Sequence, residues 1–182
     1  MKDITICLFG AASNNIDDIY IQETEALGRE IGSRGYTLLY GGGSTGIMGA
    51  CSRGVASAGG KVISVIPTFM DSKELINYNS NEINWTESLD DRKAIMQERS
   101  DAFIIAPGGV GTMDEFFQIL TLENLSILSA PIIIYNINNY YDGLLSFIDY
   151  SIKKGFIRTG VRDLFRVCDN PVEVLDLIEY FA

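Results

Sequence analysis

The chain has 182 residues, with 14 Lys and Arg against 24 Asp and Glu, for a formal net charge of −10 at pH 7. That length suits one domain, and the acidity excludes a broad basic footprint for a nucleic-acid polymer. There is no histidine, so Ser-His-Asp and Cys-His nucleophile systems, imidazole bases and zinc-protease motifs are all excluded.

Proton transfer must then come from carboxylates, Lys, Tyr, Cys or bound water. Hydrophobic residues make up 47% of the chain and charged residues 21%, enough for a core and too apolar for disorder. Cys7, Cys51 and Cys168 lie far apart with no CxxC spacing, which argues against a disulfide framework or structural zinc and fits a reducing cytosol. No apolar run approaches the roughly 20 residues of a membrane span, and the opening MKDITICLFG suits a first strand rather than a signal peptide. The expectation is a single cytoplasmic domain over residues 1–182 with no membrane partner.

In chain order, the first predicted strand is Ile4–Phe9. A helix follows, with Tyr20, Thr24, Leu27 and Ile31 at i, i+4, i+7 and i+11 and Gly35 as its closing glycine. Strand Tyr36–Tyr40 precedes a helix at 46–58, and strand Lys61–Ile66 precedes the Asn- and Ser-rich stretch Pro67–Asn84, predicted as a loop over a site. A helix at 86–100, strand Ala102–Ala106, a helix at 112–128, strand Ile132–Tyr135, a helix at 140–154, strand Leu164–Val167 and a helix at 171–181 complete the chain. The strands are near-continuous apolar runs, as in parallel sheets buried on both faces. Their alternation with helices predicts an α/β fold, an open, doubly wound parallel sheet with helices on both faces.

Ligands of such sheets bind beyond the strands' carboxyl ends. Three of those ends are built of small residues: Gly10-Ala11-Ala12-Ser13, Gly41-Gly42-Gly43-Ser44-Thr45-Gly46 and Pro107-Gly108-Gly109-Val110-Gly111-Thr112. Loops of this kind, each followed by a helix N-terminus, point to a nucleotide or sugar-phosphate site. Ser13, Gly42 and Gly43 are candidate contacts on the first two. Gly41, Gly43 and Gly46 satisfy GxGxxG, but the next strand ends without an acid until Asp71, which disfavours a nicotinamide dinucleotide. Ile47 and Met48 stand where a P-loop requires Lys and Ser or Thr.

Thr112-Met113-Asp114-Glu115 has the T-x-x-E form of a capping box, which by itself explains Glu115 structurally. Arg92 has Ser88, Leu89, Ile95 and Met96 three and four residues away and no acid among them. Its stripe of Leu89, Arg92, Ile95, Met96 and Arg99 leaves two readings open, a snorkelling Arg or one that enters a site to bind an anion or orient a carboxylate. Lys93 has Asp90 three residues before it, an ordinary solvated pair. Nothing local distinguishes Glu74 from a surface residue.

The stretch Pro107–Glu115 resembles PGGxGTxxE, the hallmark of the LONELY GUY family of cytokinin riboside 5′-monophosphate phosphoribohydrolases, proteins often mislabelled as lysine decarboxylases. Gly41-Gly42-Gly43 with Gly46-Ile47-Met48-Gly49 is similar to that family's GGGxxGLMG, Asp91–Met96 to its RK-containing helix, and Tyr140–Leu145 with Gly155-Phe156-Ile157 to its distal part. The resemblance spans about Ile4 to Ile178. It implies a Rossmann-like fold, a homodimer, and hydrolysis of the N-glycosidic bond of a nucleoside 5′-monophosphate, either a cytokinin riboside 5′-monophosphate or AMP, with no cofactor and no metal. It also implies Arg92 and Glu115 as catalytic residues, with substrate contacts from Glu74, Lys93, Gly108, Gly109, Val110, Gly111, Thr112 and Asp114. Departures are Gly10–Ser13 in place of a CGSS-type loop, Asp114 in place of Glu, and Leu122 where many members have Trp, and they bear on base preference more than on the reaction. The dimer contact is expected on the apolar faces of the helices at 86–100 and 112–128. No Lys lies on the glycine loops, so a pyridoxal-phosphate decarboxylase has no support. The rival expectation is a nucleotide or molybdenum-cofactor carrier on the same fold, which binds without hydrolysis and has no need of a carboxylate beside a ribose.

Overall fold

The computed structural model describes residues 4–71 and 75–181. Its elements run β1 (Thr5–Phe9), α1 (Asp18–Ser33), β2 (Thr37–Tyr40), α2 (Gly46–Ser57), β3 (Lys61–Pro67), β4 (Glu82–Thr86), α3 (Leu89–Glu98), β5 (Ala102–Ile105), α4 (Val110–Asn124), β6 (Ile132–Tyr135), α5 (Asp142–Lys153), β7 (Arg166–Cys168) and α6 (Pro171–Phe181). The strands form one sheet in the order β4-β3-β2-β1-β5-β6-β7, with every neighbouring pair parallel. This is the expected Rossmann-like α/β architecture.

The continuous apolar runs arise because alternate residues of each inner strand enter two different cores. Ile6 and Leu8 of β1, with Ile104 of β5 and Ile133 of β6, pack under Leu27 and Ile31 of α1, Cys51 and Val55 of α2, and Ile178 of α6. Cys7 and Phe9, with Phe103, Ile105 and Ile134, pack under Met96 of α3, Phe116 and Ile119 of α4, and Ile148 of α5. Each fully buried aliphatic side chain of this kind contributes about 1.5–3 kcal/mol, so the two layers lock the register from both sides.

One strand was not expected. β4 falls in what the sequence suggests is the end of a loop and the start of a helix, and it pairs with β3 from Ile63↔Glu82 to Pro67↔Thr86. It is an edge strand whose residues up to Trp85 are only partly covered, so its sequence, EINWT, lacks the apolar signature of the inner strands. Asn81 fastens its entry, donating through its N–H to Val62 O at 2.9 Å and accepting from the Val62 N–H through Oδ1 at 2.8 Å. α3 therefore begins three residues late, at Leu89, capped by Ser88 Oγ, which accepts from the Asp91 N–H at 3.0 Å. A short 3-10 turn at Thr159–Leu164 likewise displaces the last strand to Arg166–Cys168.

α1 and α2 cross with their backbones nearly touching. A Cβ on Gly28 would lie 2.2 Å from the Cys51 carbonyl oxygen, a backbone atom unable to retreat. We expect Gly28→Ala to destabilise the fold by roughly 1–3 kcal/mol, as overpacking does, lowering Tm by roughly 2–4 °C per kcal/mol at this chain length. Gly143→Ala, in α5 where a Cβ meets nothing within 4 Å, is the control and should melt at or slightly above the wild type.

From β1 the chain steps outward one way to β2, β3 and β4, then returns to β5 and continues the other way. The direction reverses between β1 and β5, where ligand crevices open in sheets of this kind. Those two strands deliver Gly10–Ser13 and Pro107–Gly109 to the same edge.

Candidate active site

A cleft of about 350 Å³ opens at this reversal point, lined by Phe9, Gly10, Ala11, Ala12, Ser13, Met48, Arg92, Gly109, Gly111, Thr112 and Glu115. One wall is the start of α4. Gly109 is the N-cap and brings no side chain of its own to cap the helix, and the first intrahelical bond runs from the Met113 N–H to Gly109 O at 3.0 Å. The N–H groups of Val110, Gly111 and Thr112 precede that bond and have no carbonyl of their own helix to meet. They present three donors and the positive end of a 15-residue helix to whatever fills the cleft.

This geometry corrects the capping-box reading. α4 starts at Val110, two residues before the expected start, so Thr112 is its third residue and Glu115 its sixth. Thr112 packs against Gly108, where a Cβ would lie 2.1 Å from its Oγ1. Glu115 is one turn too far along to cap anything, and the bland account of it disappears.

Glu115 instead turns into the cleft floor, 9% exposed, and accepts from Arg92 Nη2 at 2.8 Å. Arg92 reaches it from the first turn of α3, so the acid absent from its own helix stands on the next one. Burial pushes the Glu115 carboxyl up to about 7, helped by Asp114 and opposed by Arg92 and Lys93. Arg92 Nε is buried without a hydrogen-bond partner among the described residues. The stripe's other guanidinium, Arg99, lies outside the cleft and donates to Glu82 on β4 at 2.6 Å.

Lys93 and Asp114 make a second rung between the same helices, with Nζ 3.1 Å from Asp114 Oδ2 and 3.8 Å from Asp90 Oδ1. Lys93 is thus more than the solvated partner of Asp90 that its spacing suggests. Ser13 lines the cleft, its Oγ accepting from the Asn15 N–H at 3.1 Å. Gly42 and Gly43 are not among the lining residues. Their loop is joined to the chain beyond β3 instead, with the Asn77 N–H donating to Gly42 O and the Ser44 N–H to Leu75 O, both at 2.9 Å. Glu74 lies outside the described residues.

Two tyrosines that sequence reasoning gave no role hold the α4 loop from behind. Tyr140 OH donates to Gly108 O at 2.8 Å and Tyr141 OH to Ala106 O at 2.7 Å. In a trans peptide the N–H points away from the C=O, so the bond to Tyr140 turns the Gly109 N–H to the opposite side. The turn that delivers Tyr140 is left-handed at Asn138 (φ 50°) and Asn139 (φ 59°), and the consecutive asparagines were the available signal. Tyr140 also meets Tyr20 edge-on, centroids 5.9 Å apart, closing an apolar recess of about 220 Å³ that shares Ala11, Ser13 and Gly109 with the cleft. Among the described residues no three His, Cys, Asp or Glu side chains converge on one point.

A family model described as "Possible lysine decarboxylase" matches residues 48–178. A protein of Oryza sativa subsp. japonica named as a probable cytokinin riboside 5′-monophosphate phosphoribohydrolase is 39% identical over 176 residues, covering 96% of this chain and 78% of its own length. A cytokinin riboside 5′-monophosphate phosphoribohydrolase of Arabidopsis thaliana is 36% identical over 177 residues, covering 97% and 82%. Among solved structures, the molybdenum cofactor carrier protein of Chlamydomonas reinhardtii matches with a TM-score of 0.75 over 99% of this chain and 98% of that one. At 19% identity that likeness is one of fold alone.

Proposed function

We propose a nucleotide glycosidase, on the premise that the chain belongs to the LONELY GUY family of cytokinin riboside 5′-monophosphate phosphoribohydrolases. Its reaction is hydrolysis of the N-glycosidic bond of a nucleoside 5′-monophosphate, with water supplying a hydroxyl to C1′ and a proton to the departing base, leaving ribose 5-phosphate. The observation that carries this reading is the largely buried Arg92–Glu115 pair on the floor of a cleft whose wall is a helix start with a glycine N-cap.

The 5′-phosphate binds to the N–H groups between Gly109 and Thr112. That anchor is remote from the bond that breaks, so its binding energy positions C1′ over the floor. Cleavage builds an oxocarbenium-like cation, which the Glu115 carboxylate stabilises while orienting the attacking water. Arg92 aims that carboxylate and favours its ionised form. Lys93 and Asp114 join the same helix pair, and Ser13 lines the cleft. Among the described residues no Lys lines the cleft, so nothing there supports the decarboxylase description.

Tyr140→Phe tests the phosphate loop. Losing the bond to Gly108 O frees the Gly108–Gly109 peptide to turn, and KM for a nucleoside monophosphate should rise by roughly 2–10-fold, the worth of one hydrogen bond. Because the contact is remote from the reacting carbon, kcat should change little.

The protein acts as a homodimer through the outer faces of α3 and α4, where Leu89, Val110 and Phe117 remain exposed. A monomer at micromolar concentration with full activity in sedimentation would overturn that. Three free, buried cysteines support a cytoplasmic location. Among the described residues no helix is long and apolar enough to cross a membrane.

The deciding experiment incubates the protein with AMP, prenylated AMP, adenosine and a nicotinamide dinucleotide and measures released base by chromatography. We expect release from the monophosphates and little from the others. Equal turnover of adenosine and AMP would remove the phosphate handle, and binding of AMP without release would make the protein a carrier.

A further inference from the structure

We infer that Gly41 is a positioning residue for this reaction: the space its missing side chain leaves is the seat of the Arg92 guanidinium, so the second glycine loop serves the Glu115 carboxylate rather than a phosphate. This rests on the roles assigned above to Arg92 and Glu115.

A Cβ on Gly41 would lie 2.5 Å from Arg92 Nη2 and 3.3 Å from Cζ. Nη2 is the atom that donates to Glu115 Oε1 at 2.8 Å, so any side chain at position 41 displaces the donor itself. Met48 Sδ, 3.3 Å from the same point, closes the other side of the seat. Backbone conformation does not demand glycine here. Gly42 is left-handed at φ 78°, whereas Gly41 is not among the positive-φ residues, so alanine fits the backbone and only the space is lost.

The rest of the loop fits a support and not a cradle. Gly42 and Gly43 do not line the cleft, and Gly42 O and the Ser44 N–H are joined to Asn77 and Leu75, which fixes the seat relative to the sheet. With Nε unpartnered among the described residues, the guanidinium relies on this packing to stay in line with Glu115. A displacement of about 1 Å at a reacting group is enough to cost up to about 10²-fold in rate.

Moving Nη2 away also changes the proton affinity of Glu115. The groups that face that carboxyl are Arg92 and Lys93 from α3, Asp114 from its own helix and the Cys7 thiol from β1. Burial holds the thiol neutral, raising Cys7 well above its usual value, and Lys93 is engaged by Asp114. Among the described residues Arg92 is the close cation not engaged by another carboxylate, and without it Glu115 binds its proton more tightly.

The test compares Gly41→Ala with the wild type, alone and combined with Arg92→Ala. Turnover of AMP is measured together with the Glu115 titration, followed by carbon-13 NMR of labelled glutamate carboxyls. We expect kcat at pH 7 to fall about tenfold or more with KM within about twofold, and the Glu115 midpoint to rise. Combined with Arg92→Ala, Gly41→Ala should add no further shift in the midpoint and no loss of Tm, because the cavity left by the guanidinium accepts the methyl group. An unchanged midpoint and kcat in Gly41→Ala would overturn the inference. So would a rise in KM at constant kcat, which would return the loop to substrate binding, or a double variant less stable than Arg92→Ala. The titration needs no turnover, so a protein that hydrolyses no nucleotide would defeat the proposed function and still report whether Gly41 seats Arg92.

Discussion

Glu115→Gln should lower kcat for base release by about 10²-fold or more, the scale of other deletions of a preorganised charge at a reacting centre, while leaving the fold at least as stable. Gln retains the oxygen that accepts from Arg92 Nη2 and nearly the same volume, and loses only the charge. The stability sign follows from linkage. The Glu115 carboxyl sits near 7 in the fold, above its ordinary 4.5, because it is buried, so the folded state holds the proton more tightly than the unfolded chain. Its favourable contribution is fully present below about pH 4.5 and is lost as pH rises through about 7. Gln imitates the protonated form at every pH. Thermal melts at pH 8 should therefore place Glu115→Gln at or above the wild type, and melts at about pH 4, below the unfolded value, should place the two together. A variant that keeps near-wild-type hydrolysis of AMP would refute the catalytic assignment outright.

The loss of the capping-box explanation gives that prediction its force. In sequence, T-x-x-E before an apolar run is a complete structural account of a glutamate, and the pattern alone offers no way to reject it. What rejects it is Gly109, which takes the N-cap position itself and starts the helix early. The Arg92–Glu115 pair was legible only by its negative half. Arg92 visibly lacks an acid at helical spacing, but the partner lies 23 residues on, across a strand and a loop whose geometry no local rule supplies.

The doubly wound sheet was legible because burial on both faces writes itself into a strand as an unbroken apolar run, as in Cys7, Leu8 and Phe9. β4 was not, because an edge strand buries little and Glu82 and Asn84 resemble loop residues. The glycine loops show the same limit in another form. Glycine marks a place where something comes close, and composition cannot say what. At Gly108 it is the Thr112 side chain, at Gly28 the backbone of Cys51, and at Gly41 the guanidinium of Arg92.

Arg92→Ala should cut turnover at pH 7 by about 10²-fold or more, and its pH dependence should separate it from Glu115→Gln and Tyr140→Phe. In the wild type the rate should rise with pH through about 7 as Glu115 ionises. Removing the guanidinium takes away the opposite charge 2.8 Å from Oε1, and burial then acts on the carboxyl with Lys93 alone to oppose it. The midpoint moves up and the rising limb moves with it, so part of the lost activity should return at alkaline pH. Stability should follow the same curve with the opposite sense. Above the new midpoint the variant holds a buried carboxylate with no close partner, a state that costs about 3–5 kcal/mol when one member of a buried pair is deleted. Below it the carboxyl is protonated and neutral, and the cost largely vanishes. The Tm gap between Arg92→Ala and the wild type should therefore widen from pH 5.5 to pH 8.5. Arg92→Lys keeps a charge but loses the Nη2 that donates to Oε1, and should fall between the two in rate and in midpoint. A Tm gap that does not vary with pH, together with an unmoved acid limb, would mean that Arg92 does not govern the ionisation of Glu115 and contributes only packing between α3 and α4.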